Sequence, residues 1–478
     1  MKTVWLSRLS LSLTLLAAGC ASVPRDAGFG QVHEMVMART GADLQWTRGQ
    51  GAAEIDAAVH NLLAGELTAD RAAAVALMGN RELQATLEEL GVAQADLLEA
   101  GLLRNPILGG ELRFPGAPVR PFEITVAQPL LEIFVLPLRK RVAAAAFEAA
   151  KLRVTDAVLG LEAATRATFF RVQAAEQALA SARTLADATE TAAALAGRQH
   201  QAGNVSDLDL ATERALAEQS KLEVVRSEIE LTAAREELNR EMGLGSSAIE
   251  WQVAAGLPAL PAADPPLSGL EAAAAEMRQD LAALRRDAEA AERALPLTRT
   301  AGIDEAQLGA HQERDAGGAR TTGPAASVSV PIFNRGQATR RRAEARLRQA
   351  RDRYQGRLTA VQSEVREAWG RLMAVRREAE LYRDTLVPLR QSIVALAQTS
   401  YNAMQLGVFQ LLAAKQDAVR AERGGTEAVR DYWMARTRLE RAIAGRLPAA
   451  PGPPATAEPK PPAAPHEPSG AHASGGAS

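Results

Sequence analysis

Apolar side chains return every seven residues along two long stretches of the chain, roughly residues 138–243 and 336–445. The first stretch carries two such series and the second carries one: Leu208, Ala215, Leu222 and Ile229; Leu210, Ala217, Val224, Leu231 and Leu238; Leu358, Val365, Leu372, Ala379, Leu386 and Ile393. This spacing predicts helices that pack lengthwise, and two series on one helix predict neighbours on two sides. Each stretch is long enough for a helical hairpin with arms of roughly 90 Å.

Each predicted hairpin has a point of reversal. In the first, Gly203 and Asn204 suit the end of a helix, and either Ser206 or Asp207 can cap the next helix. The second reversal is centred on Gly407, which lies 204 residues after Gly203. The similar spacing indicates that the two hairpins are copies of one unit.

A pair of alternating segments precedes each hairpin. Strands are predicted within residues 106–130 and 303–332, and the two pairs end at Pro129 and Pro331, 202 residues apart. Alternation is poor only in residues 303–314. One apolar and one polar face suit a transmembrane barrel strand, although a half-buried strand of a soluble sheet gives the same pattern. Elements matching in the same order predict a mostly α fold with a small β part, built as a tandem repeat.

The repeat divides the chain into segments. They are a signal peptide (1–19), an N-terminal lipidated extension (20–67), a first repeat (68–243, with its hairpin at 138–243), a crossover (244–268), a second repeat (269–445, with its hairpin at 336–445) and a Pro-, Ala- and Gly-rich tail (446–478) that we expect to be disordered. Pro388 lies inside one helical arm, where the first repeat has Thr184. Because proline kinks a helix, we expect the two hairpins to bend differently.

Composition narrows the class of protein. Aromatic residues make up 4% of the 478 residues and the formal net charge is −2. Few aromatic residues are typical of long helices and coiled coils, and a near-neutral chain gives no electrostatic case for nucleic acid. After residue 20 no run of 18 apolar residues occurs, so any crossing of a bilayer falls to β-strands.

Cys20 is the sole cysteine, and its position explains it. Residues 1–19 show a basic start and a short apolar run that ends at Gly19, which resembles a bacterial lipoprotein signal. We therefore expect Cys20 to be acylated and to anchor the mature protein in the outer membrane. The alternative is an ordinary signal peptide with an incidental cysteine.

Four strands are too few to close a barrel, and open edges are not tolerated in lipid. We therefore expect several copies of the chain to share one barrel. Three copies would supply twelve strands around a water-filled bore, and their long helices would form a second cylinder on the periplasmic side.

The chain resembles the outer membrane factor (TolC-like) family of bacterial efflux systems over roughly residues 66–445. The matching segments are Leu103-Arg104-Asn105-Pro106, Val330-Pro331-Ile332-Phe333-Asn334-Arg335-Gly336, Met242-Gly243-Leu244 and Glu313-Arg314-Asp315, with the hairpin tips. The resemblance implies a homotrimer with a 12-stranded transmembrane β-barrel continued by an α-helical barrel. It also implies docking to a periplasmic adaptor and, through it, to an inner-membrane pump. Residues 322–324 are similar to the branch that works with heavy-metal pumps.

The resemblance places gate or adaptor-contact residues at the tips: Gly203, Asn204, Asp207, Asp209, Gly407, Val408, Phe409, Gln410 and Leu411. Helix capping is the alternative role for Asp207, and coiled-coil packing is the alternative for the apolar members. Gln410 and Ala413 stand where the family often has an acidic residue, which puts a carboxylate gate at the second tip in doubt.

The sequence predicts no enzyme, because no nucleophile, phosphate-loop or paired-carboxylate motif is recognisable. We also expect no cofactor and no metal, since the histidines do not pair at ligand spacing. Passive conduction of substrates through an outer membrane channel is the function expected. The alternative is a periplasmic coiled-coil scaffold or adaptor lipoprotein without a pore.

Overall fold

The computed structural model describes residues 26–49, 51–114, 120–245, 250–254, 256–303 and 305–447. The signal peptide, Cys20 and the tail from residue 448 onward lie outside these residues, so those assignments stay predictions. None of the helices in the described part of the chain combines the length and the apolar character needed to cross a membrane.

One order of elements, helices followed by a strand pair and a long helical hairpin, occurs twice. The chain starts with α1 (Phe29–Thr40), α2 (Ala52–Leu63) and β1 (Glu66–Leu67). The first repeat comprises α3 (Ala69–Gly79), α4 (Arg81–Ala100), β2 (Ile107–Leu112), β3 (Phe122–Pro129), α5 (Leu131–Gln201) and α6 (Asp207–Met242). The crossover contains β4 (Gln252–Val253), which pairs in parallel with β1.

The second repeat contains a 3₁₀ turn and a π-helical turn in addition to its helices and strands. It comprises α7 (Leu270–Met277), α8 (Gln279–Ala294), the 3₁₀ turn Leu295–Arg299, β5 (Ala306–Arg314), β6 (Arg320–Val328), α9 (Gln337–Leu381), the π-helical turn Tyr382–Leu386, α10 (Val387–Asn402) and α11 (Val408–Ala442).

The four longer strands form one antiparallel sheet in the order β2-β3-β5-β6. The central pair, β3 with β5, joins the two repeats, with Phe122 opposite Arg314 and Pro129 opposite Gln307. β5 therefore forms a full strand despite its poor alternation, because it is hydrogen-bonded on both sides. Pro324 lies in β6, an edge strand, where a residue without an amide hydrogen is tolerated.

Two predicted boundaries were wrong. β6 ends at Val328 and not near residue 332, because its partner β5 begins only at Ala306 and Pro331 has no amide hydrogen to extend the ladder. α5 begins at Leu131, seven residues before the predicted 138, and includes Pro137. Glu132 explains the early start: its carboxylate lies in the first turn, where the helix dipole favours it, and it pairs with Arg139 at 3.0 Å.

The long helices lie side by side in the order α6, α5, α11 and then α9 with α10, and α8 packs against both α5 and α9. Each repeat buries its own apolar cluster where its hairpin meets the shorter segments. The first cluster includes Phe170, Leu238 and Trp251, and the second includes Leu372 and Tyr432. The sequence predicted the helices, and the structure adds the order in which they pack.

The two hairpins differ in helical regularity at the place where the sequence has Pro388, while the expected difference in bending stays a prediction. α5 runs without interruption for 71 residues. The corresponding arm of the second hairpin changes to a π-helical turn at Tyr382–Leu386, directly before Pro388. A π-turn accommodates the hydrogen bond that proline cannot make, so the cause is the one the sequence indicated.

A buried carboxylate fastens the crossover to the second hairpin. Asp264 has a side chain with 0% exposure and accepts hydrogen bonds from Arg436 at 2.6 Å, Arg376 at 2.9 Å and the Tyr432 hydroxyl at 2.9 Å. Burial raises the pKa of Tyr432, which keeps the hydroxyl a donor. The sequence did not single out Asp264, because its partners lie more than a hundred residues away.

We expect Asp264→Ala to lower the free energy of unfolding by about 3 kcal/mol, because it leaves two buried guanidinium groups without their shared carboxylate. Thermal melting of the helical circular dichroism signal in detergent measures the change. Asp287→Ala, which breaks the exposed pair with Arg153, should cost less than about 1 kcal/mol. Equal melting temperatures for the two variants would contradict the assignment.

A second buried carboxylate makes stability depend on pH. Burial raises the pKa of Glu241 to about 7, and the hydrogen bond from Thr168 at 3.1 Å offsets this only in part. Its other oxygen has no hydrogen-bond partner within the described ranges. The folded chain therefore binds a proton more tightly than the unfolded chain, so stability falls as the pH rises from about 4.5 to about 7.

We expect Glu241→Gln to flatten this dependence and to raise stability at pH 8 by about 1 kcal/mol, with little change at pH 4.5. Melting temperatures across this pH range test it. Glu236→Gln, an exposed neighbour on the same helix, serves as control and should follow the parent chain. If Glu241→Gln raised stability by the same amount at pH 8 and at pH 4.5, burial of the Glu241 charge would not be the cause of the pH dependence.

Candidate functional site

The tip of the first hairpin is closed by backbone and side-chain hydrogen bonds. Gly203 adopts a left-handed conformation with φ of 75°, and the Asn204 amide donates to the Gln199 carbonyl at 2.9 Å. Ser206 caps α6 by accepting from the Asp209 amide at 3.1 Å. Ser206, and not Asp207, is therefore the cap. The Asp207 carboxylate is 98% exposed and lies 2.7 Å from the His200 ring.

The tip of the second hairpin has the same backbone with different side chains. Met404 is left-handed with φ of 59°, and the Gln405 amide donates to the Ser400 carbonyl at 2.9 Å. Gly407 is the cap residue of α11, where its amide donates to the Gln410 side chain at 2.6 Å. Gln410 thus has a capping role at the position where the family often carries an acid.

The pairing of Gly203 with Gly407 was wrong. Gly203 corresponds to Met404 and Ser206 corresponds to Gly407, both 201 residues apart. The sequence suggested the wrong pair because glycine is the residue expected in a left-handed position. The second tip carries methionine there, with its side chain 95% exposed.

The other candidate residues divide by exposure. Asn204, Asp209 and Gln410 are exposed, Val408 and Phe409 are half-buried, and Leu411 is buried. Leu411 corresponds to Leu210, which is also buried inside its hairpin. The exposed surface of the tips is therefore formed mainly by polar side chains, with Met404 and Leu208 as its most exposed apolar residues.

The two tips differ in charge. Residues 391–414 of the second hairpin contain no Asp, Glu, Lys, Arg or His. The matching residues of the first hairpin include Arg198, Asp207, Asp209 and Glu213. The pattern makes one tip acidic and the other uncharged.

Glu213 is a residue that sequence reasoning missed. It is 8% exposed on the inner side of α6, and its Oε2 has no hydrogen-bond partner in the part of the chain that the structure describes. Burial, and then the charge of Asp209, raise the pKa of its carboxyl group. Ala414 occupies the matching position in the second hairpin. A comparison of the two repeats in the register of the tips would have revealed the substitution.

The sheet has one mainly apolar and one mainly polar face. The register places on the mainly apolar face Leu108, Leu112, Phe122, Ile124, Val126, Leu308, Ala310, Pro324, Ala326 and Val328, together with the polar Gln128, Gln312, Arg314, Arg320 and Thr322. It places on the mainly polar face Glu111, Glu123, Thr125, Gln307, His311, Glu313, Thr321 and Ser327, together with Ile107 and Ala127. Arg113 lies among the acids of the polar face, 2.8 Å from Glu111. Neither face is covered by other parts of the described chain.

Both layers of the fold end in open edges. β2 and β6 have a partner on one side only. At the ends of the helix row, α6 exposes Leu208, Leu222, Val225 and Ile229, and α10 exposes Leu389, Ile393 and Leu396. Of the two series predicted on α6, the one containing Leu210 is turned inward, and the one containing Leu208 has no cover within the protomer.

Across the described ranges, no group of three or more His, Cys, Asp or Glu side chains is arranged to hold a metal ion. Three groups with shifted pKa values, Arg39, Glu440 and Arg446, line one small cavity, and all three shifts follow from burial and neighbouring charges.

Comparisons with known proteins place this fold. No protein-family model matches the sequence, and no curated protein matches it. Solved structures do match. A membrane protein from Pseudomonas aeruginosa has a TM-score of 0.68 at 21% identity, covering 79% of this chain and 90% of that one. The Campylobacter jejuni CmeC outer membrane channel has a TM-score of 0.69 at 17% identity, and the match covers 79% of this chain and 86% of that one. CusC has a TM-score of 0.67 at 18% identity, and the match covers 79% of this chain and 92% of that one.

The fold is therefore one that this chain shares with bacterial outer membrane channels. The chain has the architecture of the outer membrane factor (TolC-like) family, as the sequence motifs indicated. CmeC and CusC, two of the structures that share it, are described as channels.

The backbone of Met404 has a left-handed conformation, and we expect this to cause local strain that can be measured. We expect Met404→Gly to stabilise the second tip by about 1 kcal/mol, because only glycine adopts this conformation without steric cost. Hydrogen exchange of the amides at residues 401–408 measures it. Gly203→Ala is the matched control and should destabilise the first tip by a similar amount. Faster exchange in Met404→Gly would contradict the assignment.

Proposed function

We propose that the chain forms, as a homotrimer, the outer membrane channel of a tripartite efflux system. In this proposal the three sheets close a 12-stranded β-barrel through the outer membrane, and the helix rows close an α-helical barrel in the periplasm. Substrates pass through passively, and an inner-membrane pump supplies the energy through a periplasmic adaptor.

One observation carries the proposal. The contacts between the two repeats inside the chain are of the same kind as the contacts that the open edges could make with a neighbouring copy. Inside, the second strand of one repeat pairs with the first strand of the other, β3 with β5. A neighbouring copy placed head to tail would pair β6 with β2 in the same sense. Likewise α5 packs on α11 inside the chain, and α9 with α10 would pack on α6 of the neighbour. Head-to-tail contacts of this kind close a ring when the rotation from one copy to the next divides a full turn evenly.

Charge on the two edge helices supports the same contact. α6 carries ten acidic and five basic side chains. α9 carries twelve arginines and six acidic side chains. An acidic helix and a basic helix attract each other across an interface and disfavour contacts between like edges. The exposed leucines and isoleucines on α6 and α10 would supply the apolar part of the contact.

The two-faced sheet supports a place in a membrane. An apolar face towards lipid and a polar face towards water is the arrangement that a transmembrane barrel requires. β5 and β6 have nine residues each, about 30 Å at the rise of a strand. Cys20, as a lipid attachment site, would add an anchor in the same outer membrane.

The tips support a role in docking and gating. They lie at the far end of the hairpins from the sheet and so would point into the periplasm, towards the adaptor. Asp207 and Asp209 would place acidic side chains around the inlet, three of each in a trimer. The uncharged second tip would offer Met404 and its neighbours instead.

Assembly and conductance test the proposal together. We expect the purified chain to be a trimer in detergent and to conduct ions in planar bilayers. Leu222→Asp should abolish both, because it places a charge in the apolar contact between copies. Native mass spectrometry and single-channel recording are the measurements.

Val92→Asp is the matched control, since Val92 is an exposed apolar residue on α4, which is not one of the two edge helices. It should leave the trimer and its conductance intact. A parent chain that is monomeric in detergent and silent in bilayers would refute the channel and favour the scaffold without a pore.

A further inference from the structure

Three arginines lie together on the mainly apolar face of the sheet, at the end where the strands turn. Arg314 is the last residue of β5 and stands directly opposite Arg320, the first residue of β6. Arg120 precedes β3, and its Cζ atom lies 5.6 Å from the centre of the Phe114 ring. We call these three side chains the outer arginine cluster.

The ladder between β2 and β3 fixes the place of Arg120. The Arg113 amide donates to the Pro121 carbonyl at 3.1 Å, so the pairing continues past the ends of the two strands. Arg120 therefore lies on the same face as Phe122, which is opposite Arg314. Diagonal neighbours of this kind are roughly 7–8 Å apart, so one ligand can reach both arginines.

Within the four strands, no acidic side chain shares this face with the cluster. The acids of the strands all lie on the other face, and they are Glu111, Glu123 and Glu313. Every ion pair that these acids make within the described ranges goes to Arg113. Asp315 follows β5 directly, but its carboxylate accepts from the Ala319 amide at 2.9 Å inside the turn. The positive charge of the cluster is therefore not balanced on its own face.

This arrangement is unfavourable unless an anion joins it. Like charges directly opposite each other on neighbouring strands destabilise a sheet, and Arg314 and Arg320 form such a pair. In the described part of the chain, the buried Nε atom of Arg314 also has no hydrogen-bond partner. A buried donor without an acceptor costs free energy. An anion beside the two arginines would offset the repulsion and supply an acceptor.

The surface next to the cluster suits acyl chains. Leu112 and Phe114 are exposed on the same face. One row further from the turns, Gln312 donates to the Thr322 hydroxyl at 3.4 Å. The row after that is apolar and exposed, and it contains Leu108, Val126, Ala310 and Pro324. A small anion in solution needs no apolar surface, whereas a lipid needs one beside its headgroup site.

The cluster lies at the end of the sheet away from the helices. β3 leads into α5 at Leu131, and β6 leads towards α9 from Val328, so both hairpins leave from the opposite end. In the proposed channel, the end with the cluster therefore reaches the outer leaflet of the membrane. The inference rests on the proposed function at this point, because it takes the mainly apolar face as the face towards lipid.

We propose that the outer arginine cluster binds the phosphate group of a lipid headgroup in the outer leaflet, with the acyl chains of that lipid along the apolar rows. Arginine binds phosphate through two parallel charge-assisted hydrogen bonds. A phosphate monoester carries a charge of about −1.5 to −2 at pH 7. It therefore matches the facing Arg314 and Arg320 better than a singly charged diester does.

Lipid binding measured by native mass spectrometry tests the site. The full chain in detergent is titrated with phosphatidic acid, a phosphate monoester on two acyl chains, and separately with phosphatidylglycerol and phosphatidylcholine. We expect phosphatidic acid to bind most tightly. Arg314→Gln with Arg320→Gln should weaken its binding by roughly tenfold or more, because charge-assisted hydrogen bonds are lost. Arg314→Lys with Arg320→Lys, which keeps the charge without the planar fork, should fall between the two.

Arg81→Gln with Arg285→Gln is the matched control, since it removes the same charge from two exposed positions on helices. It should bind phosphatidic acid as the parent chain does. Melting temperatures give a second readout. Phosphatidic acid should raise the melting temperature of the parent chain, because a ligand stabilises the state that binds it. It should not raise that of Arg314→Gln with Arg320→Gln, which without lipid should melt no lower than the parent.

Equal affinity for phosphatidic acid in the parent chain and in Arg314→Gln with Arg320→Gln would overturn the site, as would equal weakening in the control. If inorganic phosphate displaced phosphatidic acid at equal concentration, the site would be one for free phosphate and not for a lipid. Conductance of the same samples in planar bilayers separates this result from the channel. A conducting chain that does not prefer phosphatidic acid would refute the site and keep the channel. A silent chain that binds it through the arginines would do the reverse.

Discussion

The main constraint on this fold lies at its open edges. There the described part of a single chain leaves backbone groups and apolar side chains without partners. The sheet of four strands ends at β2 and β6, whose outer amide and carbonyl groups face no other strand of the described chain. An unpaired edge is a site of association in water and is not tolerated in lipid. The helix row likewise leaves apolar side chains on α6 and α10 exposed at its two ends. In the proposed assembly both layers would receive the same kind of neighbour on the same two sides.

The tandem repeat explains how one contact can meet this requirement. The two repeats already lie head to tail, with β3 on β5 and α5 on α11. In the proposed assembly a ring of chains would continue this arrangement without a new kind of contact. Each repeat would then have similar surroundings whether its neighbour belongs to the same chain or to the next.

The sequence predicted what depends on local pattern. Seven-residue spacing predicted the long helices, and Pro388 predicted an irregularity in its arm, because both act within one helix. The prediction failed where residues far apart in the sequence decide. Glu132, at the start of α5, pairs with Arg104, which precedes β2, as well as with Arg139 of its own helix, and Asp264 acts through partners that only the folded chain brings near. At the tips it failed for another reason, since Met404 holds a conformation that favours glycine.

The differences between the repeats indicate where the two hairpins have taken separate roles. Contacts that both repeats share, such as the buried Leu210 and Leu411, maintain the common architecture. Residues that differ between the repeats do not have that shared role. Glu213 corresponds to Ala414, and Glu223 and Val224 correspond to Gly424 and Gly425. The first hairpin is regular and acidic, and the second is uncharged at its tip and broken higher up. In the proposed assembly the two kinds of hairpin would therefore alternate around the ring, one with acidic side chains at its tip and the other with an uncharged tip.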